Sequence, residues 1–320
     1  MKFILITLAA IILFFVFFSI IPTFISFMAV FGRSSYREYS EELLANSYYA
    51  PFVGKISDAR DRLLATECEH TECVSADGTV LSGRLFSPGR PNTVILMHGY
   101  RADPECSVST PAGIFLDLGY AVLIPEQRAH GKSGGRFTTL GIREGDDVVA
   151  WRNLLEAKGH RVAAVYGISL GGTSVAFASD RLAGIPLIID CPFISPEAQL
   201  KRMCAKMHLP SFLIIPPALV FGKLLAGEDL GKAVTGPLSN ARAPILFLCG
   251  DRDTTVSYGD VEKMSSVCPG SVGLFTAVGA EHACSCLASG EQIKELAASL
   301  LSADSSVCGK MQTAESRPFR

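Results

Sequence analysis

Three residues of the types used in nucleophilic catalysis occur in this chain of 320 residues: Ser169, Asp253 and His282. A serine hydroxyl attacks a carbonyl carbon efficiently only when a base within hydrogen-bond reach removes its proton. The base in turn needs a third group that fixes its tautomer and orientation. The three residues could therefore form an acyl-transfer site, provided that the fold brings them together.

Ser169 is the central residue of a G-x-S-x-G sequence whose glycines are Gly167 and Gly171. The small apolar residues 162–165 predict a short buried strand before it, and residues 173–178 predict a helix after it. A serine at the tip of such a tight turn takes unfavourable backbone angles, and the two glycines allow the flanking elements to approach. This context favours a nucleophile elbow over a glycine-rich turn that contains serine by chance.

His282 is the predicted base because it lies in a loop after the last predicted strand and follows the serine in chain order. The acid is expected at the end of a strand between them. Asp253 is preferred because it lies three residues after Gly250, the glycine that ends the strand. At that distance the chain has looped back far enough to present a carboxylate to the histidine. Asp251 is its rival, although it is expected to cap the turn or to pair with Arg252. Asp190, which ends the preceding predicted strand, is another alternative.

An oxyanion site needs backbone N–H donors that are positioned before the reaction starts. Leu170, immediately after the nucleophile, is predicted to supply one donor at a helix N-terminus. Tyr100 is predicted to supply the other from the loop after the first parallel strand, where Gly99 permits close approach of the backbone. His98 and His130 also lie at strand ends, but both precede the serine and are expected to support the loops.

The apolar pattern predicts the elements that must hold these residues. Short apolar runs alternate with amphipathic segments, which predicts a parallel sheet covered by helices on both faces. Asp77 and Gly78, between two alternating segments, predict a hairpin at the start of the sheet. The predicted strands are 93–97, 121–125, 162–165, 187–190, 245–249 and 272–278, and the predicted helices are 110–118, 143–157, 173–178, 260–266 and 291–301.

The N-terminal region is a long apolar segment, with no charged side chain in residues 3–31. A helix needs about 20 such residues to cross a bilayer, whereas the apolar region of a cleaved signal peptide has about 7–15. We therefore expect an uncleaved signal anchor over residues 1–32. Its orientation is open, because Lys2 precedes the segment and Arg33 follows it.

The rest of the chain divides by composition. A polar juxtamembrane spacer is expected at 33–72, the main domain at 73–302 and a disordered tail at 303–320. Residues 191–240 interrupt the strand-helix alternation after the sixth expected strand and contain an apolar stretch broken by a proline pair. Such an insertion is where a lid would lie; the alternatives are a helical excursion packed on the sheet and a patch that enters the membrane interface.

Charge and cysteine usage exclude several classes of function. The net charge is −2, from 29 basic and 31 acidic residues mixed along the chain, which argues against a nucleic-acid partner. The ten cysteines show no paired C-x-x-C and no zinc-ligand spacing, so no metal site is predicted and most thiols are expected to be free. The oligomeric state is left open.

Together these motifs resemble the α/β-hydrolase superfamily, in its serine-aminopeptidase-like and thioesterase-like membrane-anchored branch. The resemblance implies an eight-stranded sheet with an antiparallel second strand, a Ser-His-Asp triad, a helical lid after strand six and no cofactor. Two departures affect the supporting loop: Ala129 replaces the usual glycine, and residues 125–127 lack the common aspartate. The resemblance covers residues 73–302 and rests on His98-Gly99, the segment Arg128 to Gly135, Gly167 to Gly171, Gly250-x-x-Asp253 and His282.

The sequence thus predicts a membrane-anchored serine hydrolase that cleaves an ester, thioester or amide of a small or acylated substrate. The apolar insertion and the anchor favour acyl or lipid-like substrates. An aminopeptidase is an alternative, in which Glu197 or Glu228 could bind a free amine. A non-catalytic α/β-hydrolase-fold binding protein is a second alternative, because fold alone does not determine function.

Overall fold

The computed structural model describes residues 2–36 and 40–302, so the predicted disordered tail lies outside the described residues. Its centre is a single eight-stranded sheet. The strands are β1 (Cys68–Val74), β2 (Val80–Phe86), β3 (Asn92–Met97), β4 (Ala121–Pro125), β5 (Arg161–Ile168), β6 (Leu187–Asp190), β7 (Ile245–Gly250) and β8 (Ser271–Ala277).

The strands lie in the order β1-β2-β4-β3-β5-β6-β7-β8. β2 is antiparallel to both of its neighbours, β1 and β4, and the remaining neighbours pair in parallel. The predicted hairpin joins β1 to β2: Gly78 has φ +82°, and the Thr79 N–H donates to Asp77 Oδ1 at 3.1 Å. The predicted mostly parallel sheet with an antiparallel second strand is confirmed.

Helices cover both faces of the sheet, as predicted. They are α1 (Lys2–Phe15), α2 (Ile21–Phe31), α3 (Glu41–Ala45), α4 (Val53–Leu64), α5 (Pro104–Asp117), α6 (Ile142–Ala157), α7 (Leu170–Ala178), α8 (Pro196–Lys206), α9 (Ser211–Phe221), α10 (Thr235–Asn240), α11 (Tyr258–Val267) and α12 (Ser285–Leu301). Single π-helical turns follow α1 (Val16–Ile20) and α9 (Gly222–Ala226), and 3-10 turns occupy Ala50–Phe52 and Ser179–Arg181.

The core lies in two layers because successive side chains of a strand point to opposite faces. In β3, Ile95 and Met97 face the cluster that contains α6 and α7. Val94 and Leu96 face the cluster that contains α5 and α12. Both sets are fully buried, which explains why the central strands read as continuous apolar runs.

The N-terminal helix is continuous from Lys2 to Phe31 and is long and apolar enough to cross a membrane by length and composition. Its first part exposes large apolar side chains such as Phe3. Its last part is different, because Phe27 and Phe31 are buried in the same core cluster as the sheet. The C-terminal end of this helix therefore packs into the domain, whereas its N-terminal end exposes apolar side chains.

The structure differs from the predicted spacer at 33–72. β1 begins at Cys68, before the predicted domain start at residue 73, and α4 packs against α5. One face of α4 is buried and consists of Ile56, Ala59 and Leu63, which recur at helical spacing. The mixed charge of the surrounding residues made this apolar face difficult to predict from composition. Residues 53–72 thus belong to the folded domain.

Residues 191–240 form the helical insertion predicted between β6 and β7, with α8, α9 and α10 in it. Its buried side chains, among them Ile215 and Leu230, join the main core cluster. α9 packs against α2, and the Phe221 ring lies 5.4 Å from that of Phe24 and 5.8 Å from that of Phe27. We refer to residues 191–240 as the lid.

Candidate active site

The elbow at Ser169 has the strained geometry that the sequence predicts. Ser169 lies between β5 and α7 with φ +55° and ψ −115°, outside the ordinary regions for a residue with a side chain. A Cβ on Gly167 would lie 2.3 Å from Gly171 O, and one on Gly171 would lie 2.1 Å from Met97 O. The glycines are required because the backbones of β3, β5 and α7 meet here without space for a methyl group.

The structure brings Ser169, His282 and Asp253 together from three separate elements. His282 Nε2 lies 2.8 Å from Ser169 Oγ, and His282 Nδ1 lies 2.7 Å from Asp253 Oδ2. The His282 side chain is 11% exposed and the Asp253 side chain is fully buried. The serine, the imidazole and the carboxylate thus form one hydrogen-bonded chain that is buried at its carboxylate end and partly exposed at the serine.

Asp253 is held in place by the loop after β7. Its Oδ1 accepts hydrogen bonds from the N–H groups of Thr255 at 2.7 Å and Val256 at 2.8 Å, which leaves Oδ2 to face His282. The rival Asp251 is exposed, and its Oδ1 accepts the Gly279 N–H at 2.6 Å. Asp251 therefore contacts the loop that leads to His282, whereas the sequence suggested a role in the turn after its own strand.

Asp190, the other alternative acid, is engaged elsewhere. Its carboxyl group accepts hydrogen bonds from Tyr166 Oη and Ser285 Oγ, both at 2.8 Å, and its main-chain oxygen accepts the Ser169 N–H at 2.9 Å. Burial raises the pKa of Asp190 to about 6. Asp190 thus contacts the elbow through its backbone rather than through its carboxylate.

The two predicted oxyanion donors lie on either side of the elbow. Leu170 is the first residue of α7, where an N–H has no partner within its own helix. In the loop after β3, the Gly99 N–H donates to Ser107 Oγ at 3.1 Å and the Arg101 N–H donates to His130 Nε2 at 3.2 Å. These bonds hold the backbone on both sides of Tyr100, and a Cβ on Gly99 would lie 3.9 Å from that of Ser169.

His98 and His130 are buried supports of these loops. His98 Nδ1 lies 2.7 Å from Gly99 O, and His98 Nε2 accepts the Gln127 N–H at 3.0 Å. His130 Nδ1 lies 2.8 Å from Arg128 O. Burial lowers the pKa of His98 to about 3 and also lowers that of His130. Both rings are therefore neutral at pH 7 and occupied by loop contacts.

Arg128 anchors the loop that contains His130. Its guanidinium binds Asp147 on α6 through Nε at 2.7 Å and through a second nitrogen at 2.5 Å, and binds Asp77 in the hairpin at 2.8 Å. Ala129, which replaces the usual glycine, has φ +59°. The loop thus keeps the left-handed conformation that glycine favours, at a cost of about 1–2 kcal/mol for a residue with a Cβ.

The described residues contain one group of three side chains that could hold a metal ion: Cys191, Asp253 and His282, with ligand atoms within 4.8 Å of one another. Two of them are already bonded to each other in the hydrogen-bonded chain. Burial raises the pKa of the Cys191 thiol well above its ordinary value, which disfavours the thiolate that binds metals. The donor set fits proton transfer better than metal binding.

A cavity of about 360 Å³ opens beside the elbow. Its lining includes Tyr100, Ile168 and Ala283, the last two being the chain neighbours of Ser169 and His282. Another part of the lining consists of residues between 40 and 56, which belong to the predicted spacer. The lid contributes no residue to the described lining, so the lid is not the wall of this cavity. The helical spacing of Ile56, Ala59 and Leu63 indicates that α4 packs on the domain, but it does not indicate the cavity.

Comparisons with known proteins agree with this architecture. A sequence model of the peptidase S15 family, X-Pro dipeptidyl-peptidase, matches residues 77–196. The uncharacterized protein YqkD of Bacillus subtilis is 33% identical over 219 residues, which span 66% of this chain and 72% of YqkD.

Solved structures give the same result. An esterase of Pyrococcus furiosus has a TM-score of 0.62 and 26% identity, over 75% of this chain and 92% of that chain. An esterase of a Rhodococcus species has a TM-score of 0.52 and 17% identity, over 73% of this chain and 98% of that chain, a similarity that shows the fold alone.

The fold, with its strained serine between β5 and α7, defines the class of protein. The chain belongs to the α/β-hydrolase superfamily and, within it, to the family that includes protein YqkD. Its hydrolase and esterase relatives support an enzyme with hydrolytic activity.

Proposed function

We propose that the chain is a membrane-anchored serine hydrolase in which Ser169 is the nucleophile, His282 the general base and Asp253 the group that orients it. The observation that carries the proposal is the hydrogen-bonded chain from Ser169 Oγ to His282 Nε2 at 2.8 Å and from His282 Nδ1 to Asp253 at 2.7 Å. A base must lie within such reach of the proton that it removes.

The reaction follows from these contacts. Ser169 Oγ attacks the substrate carbonyl carbon while His282 Nε2 takes the hydroxyl proton, and Asp253 stabilises the resulting imidazolium. The carbonyl oxygen becomes an anion that the N–H groups of Tyr100 and Leu170 bind. His282 then protonates the leaving alcohol, thiol or amine as its bond to the carbonyl carbon breaks. A water molecule, deprotonated by His282, then attacks the acyl carbon. His282 returns this proton to Ser169 Oγ as the bond between Oγ and the acyl carbon breaks, which releases the acid and regenerates the enzyme.

Kinetics of substituted proteins test this mechanism. Ser169→Ala and His282→Ala should each reduce the turnover of p-nitrophenyl butyrate by about 10⁶-fold, because triad members act as a unit. Ser239→Ala and His70→Ala, at exposed positions, are the matched controls and should retain parental activity. Parental turnover in both triad variants would contradict the proposal.

An ester or thioester is the favoured substrate over a peptide. The two lid carboxylates that could bind the free amine of a peptide already form ion pairs. Glu197 lies 2.5 Å from Lys201, and Glu228 lies 3.1 Å from Arg143 and 2.8 Å from Lys232. We expect p-nitrophenyl esters to be hydrolysed faster than aminoacyl-nitroanilides. The reverse order of rates would favour the peptidase alternative that the S15 match raises.

The N-terminal helix is proposed to remain as an anchor rather than to be removed as a signal sequence. Phe27 and Phe31 are 2% and 1% exposed, and burial of a phenylalanine contributes about 1.5–3 kcal/mol. Cleavage after the helix, beyond Phe31, would remove both rings from the core. Residues 2–22, which precede the buried part, would extend about 30 Å as a helix, the thickness of the bilayer core.

The anchor proposal predicts where the protein fractionates and which N-terminus it carries. The expressed protein should stay with membranes after alkaline carbonate extraction and require detergent for release. Intact mass spectrometry of the released protein should show residues 2–31 still present. A carbonate-soluble protein that lacks these residues would contradict the anchor.

A further inference from the structure

We propose that the cavity beside the elbow binds the acyl chain of the substrate and that the segment after the anchor sets the length of that chain. This inference rests on the proposed function, since it assigns a substrate class to the same site. The segment comprises residues 40–56, which run from the start of α3 into α4, and we call it the roof.

The position of the cavity suits the acyl part of the substrate. Its lining holds Ile168 and Ala283, which adjoin the nucleophile and the base in the chain, and Tyr100, the predicted oxyanion donor. A carbonyl carbon held between Ser169 and the Tyr100 N–H would therefore have its acyl substituent at the mouth of this cavity. The volume of about 360 Å³ lies within the range of small-molecule sites.

The chemistry of the walls selects an apolar ligand. The roof contributes Leu44 and Ile56, and Pro111 on α5 and Leu287 on α12 complete an apolar wall. Two hydroxyl groups of the lining have partners within the protein: Ser107 accepts the Gly99 N–H at 3.1 Å, and Ser47 donates to Leu44 O at 2.7 Å. With these groups occupied, apolar contact remains the main source of affinity.

The charged residues of the lining are also engaged. Asp103 caps α5 by accepting the Cys106 N–H at 2.7 Å, and burial raises the pKa of its carboxyl group. Arg101 donates to main-chain oxygens of Ala29 and Gly32 at the end of the anchor helix. Both side chains therefore make hydrogen bonds to the protein's own backbone, which leaves the apolar walls as the main contact surface for a substrate.

The roof is attached firmly enough to act as a fixed stop. Ser40 caps α3 by accepting the Leu43 N–H at 3.0 Å, and Ser57 Oγ donates to Glu41 Oε1 at 2.6 Å. Lys55 Nζ donates to Leu287 O at 2.7 Å, which joins α4 to α12 across the cavity wall. A side chain enlarged here would occupy cavity volume that a long acyl chain needs and a short one does not.

The test is the chain-length profile of a roof variant. Leu44→Trp should lower kcat/KM for p-nitrophenyl decanoate at least tenfold relative to the parent, with p-nitrophenyl acetate changed less than twofold. Leu64→Trp, on the exposed side of α4, is the matched control and should leave both substrates unchanged. If Leu44→Trp unfolds, Leu44→Ala makes the converse test, since it should shift the preference toward longer acyl chains.

The outcomes separate the two proposals. Equal loss on acetate and decanoate in a folded Leu44→Trp protein, or no loss on either, would overturn the acyl-chain assignment while the parent still hydrolyses acetate. An unchanged length preference in Leu44→Ala would do the same. Absence of Ser169-dependent hydrolysis in the parent would instead overturn the proposed function itself.

Discussion

At the scale of single residues, two carboxyl groups near the elbow are shielded from solvent and do different work. Asp253 contacts His282 Nδ1 at 2.7 Å. The Asp190 carboxyl group accepts hydrogen bonds from the hydroxyl groups of Tyr166 and Ser285, and its main-chain oxygen accepts the Ser169 N–H. In the proposed mechanism, Asp253 stabilises the imidazolium and Asp190 supports the frame around it.

This difference predicts unequal effects of isosteric substitutions. Asp253→Asn should reduce kcat by about 10⁴-fold, because the amide favours the wrong tautomer of His282. Asp190→Asn should cost no more than about tenfold, the equivalent of one weakened hydrogen bond. Steady-state hydrolysis of p-nitrophenyl butyrate measures both, with thermal unfolding as the control for fold. A larger loss in Asp190→Asn than in Asp253→Asn would reverse the assignment of the acid.

At the scale of elements, the elbow depends on how closely β3, β5 and α7 pack. A Cβ on Gly171 would fall 2.1 Å from Met97 O, a backbone atom that cannot move aside as a flexible side chain would. Gly236 on α10 is the contrasting case, since a Cβ there meets nothing within 4 Å.

Gly171→Ala should therefore destabilise the fold by about 3 kcal/mol, the upper range for overpacking, and abolish activity through displacement of Ser169. Gly236→Ala should stabilise by about 0.5–1 kcal/mol because alanine favours the helix. Chemical denaturation in detergent measures the free energy of unfolding of both. Wild-type stability in Gly171→Ala would show that β3 and α7 can separate without cost.

The elements were predictable where one local pattern determines them. The central strands are buried on both faces, so their apolar runs identified them with ends that differ by a few residues. Helix α5 was predicted from residue 110 but begins at Pro104, because the cap formed by the Asp103 side chain is a contact that hydrophobic periodicity does not detect. The roof was missed because its apolar residues are few and its partners, α5 and α12, are distant in sequence.

At the scale of the whole molecule, the supporting histidines couple stability to pH. His98 has a pKa of about 3 in the folded protein and His130 is also lowered, whereas an unfolded histidine has a pKa of about 6.5. Below pH 6.5 the unfolded chain binds more protons than the folded chain, so these groups lower the free energy of unfolding as pH falls. Asp190 acts in the opposite direction, since its folded pKa is raised.

The contribution of His98 to this pH dependence is therefore obtained by comparing the parent with a His98 variant. His98→Asn should unfold with a shallower pH dependence than the parent between pH 6.5 and pH 4, by up to about 1.4 kcal/mol per pH unit. Urea denaturation in detergent at several pH values gives the two slopes. Identical slopes in parent and variant would mean that His98 keeps an ordinary pKa in the folded protein.

The relation of the anchor to the domain could not be read from the sequence. An apolar segment of that length predicts a membrane span, but no local pattern shows that its end packs into the domain. Tyr100 Oη donates to Val30 O at 2.6 Å, and the Arg33 guanidinium donates to Gly131 O and Ser133 O, each at 2.5 Å. The end of the N-terminal helix and the two loops that support the proposed oxyanion site therefore form one packed unit.

The proposed mechanism requires that His282 and Asp253 activate Ser169 as a nucleophile. Labelling with a fluorophosphonate probe, followed by mass spectrometry of the digested protein, tests it most directly. We expect covalent modification at Ser169, loss of labelling in Ser169→Ala and much slower labelling in His282→Ala. Labelling at another serine, or undiminished labelling in the His282→Ala protein, would contradict it.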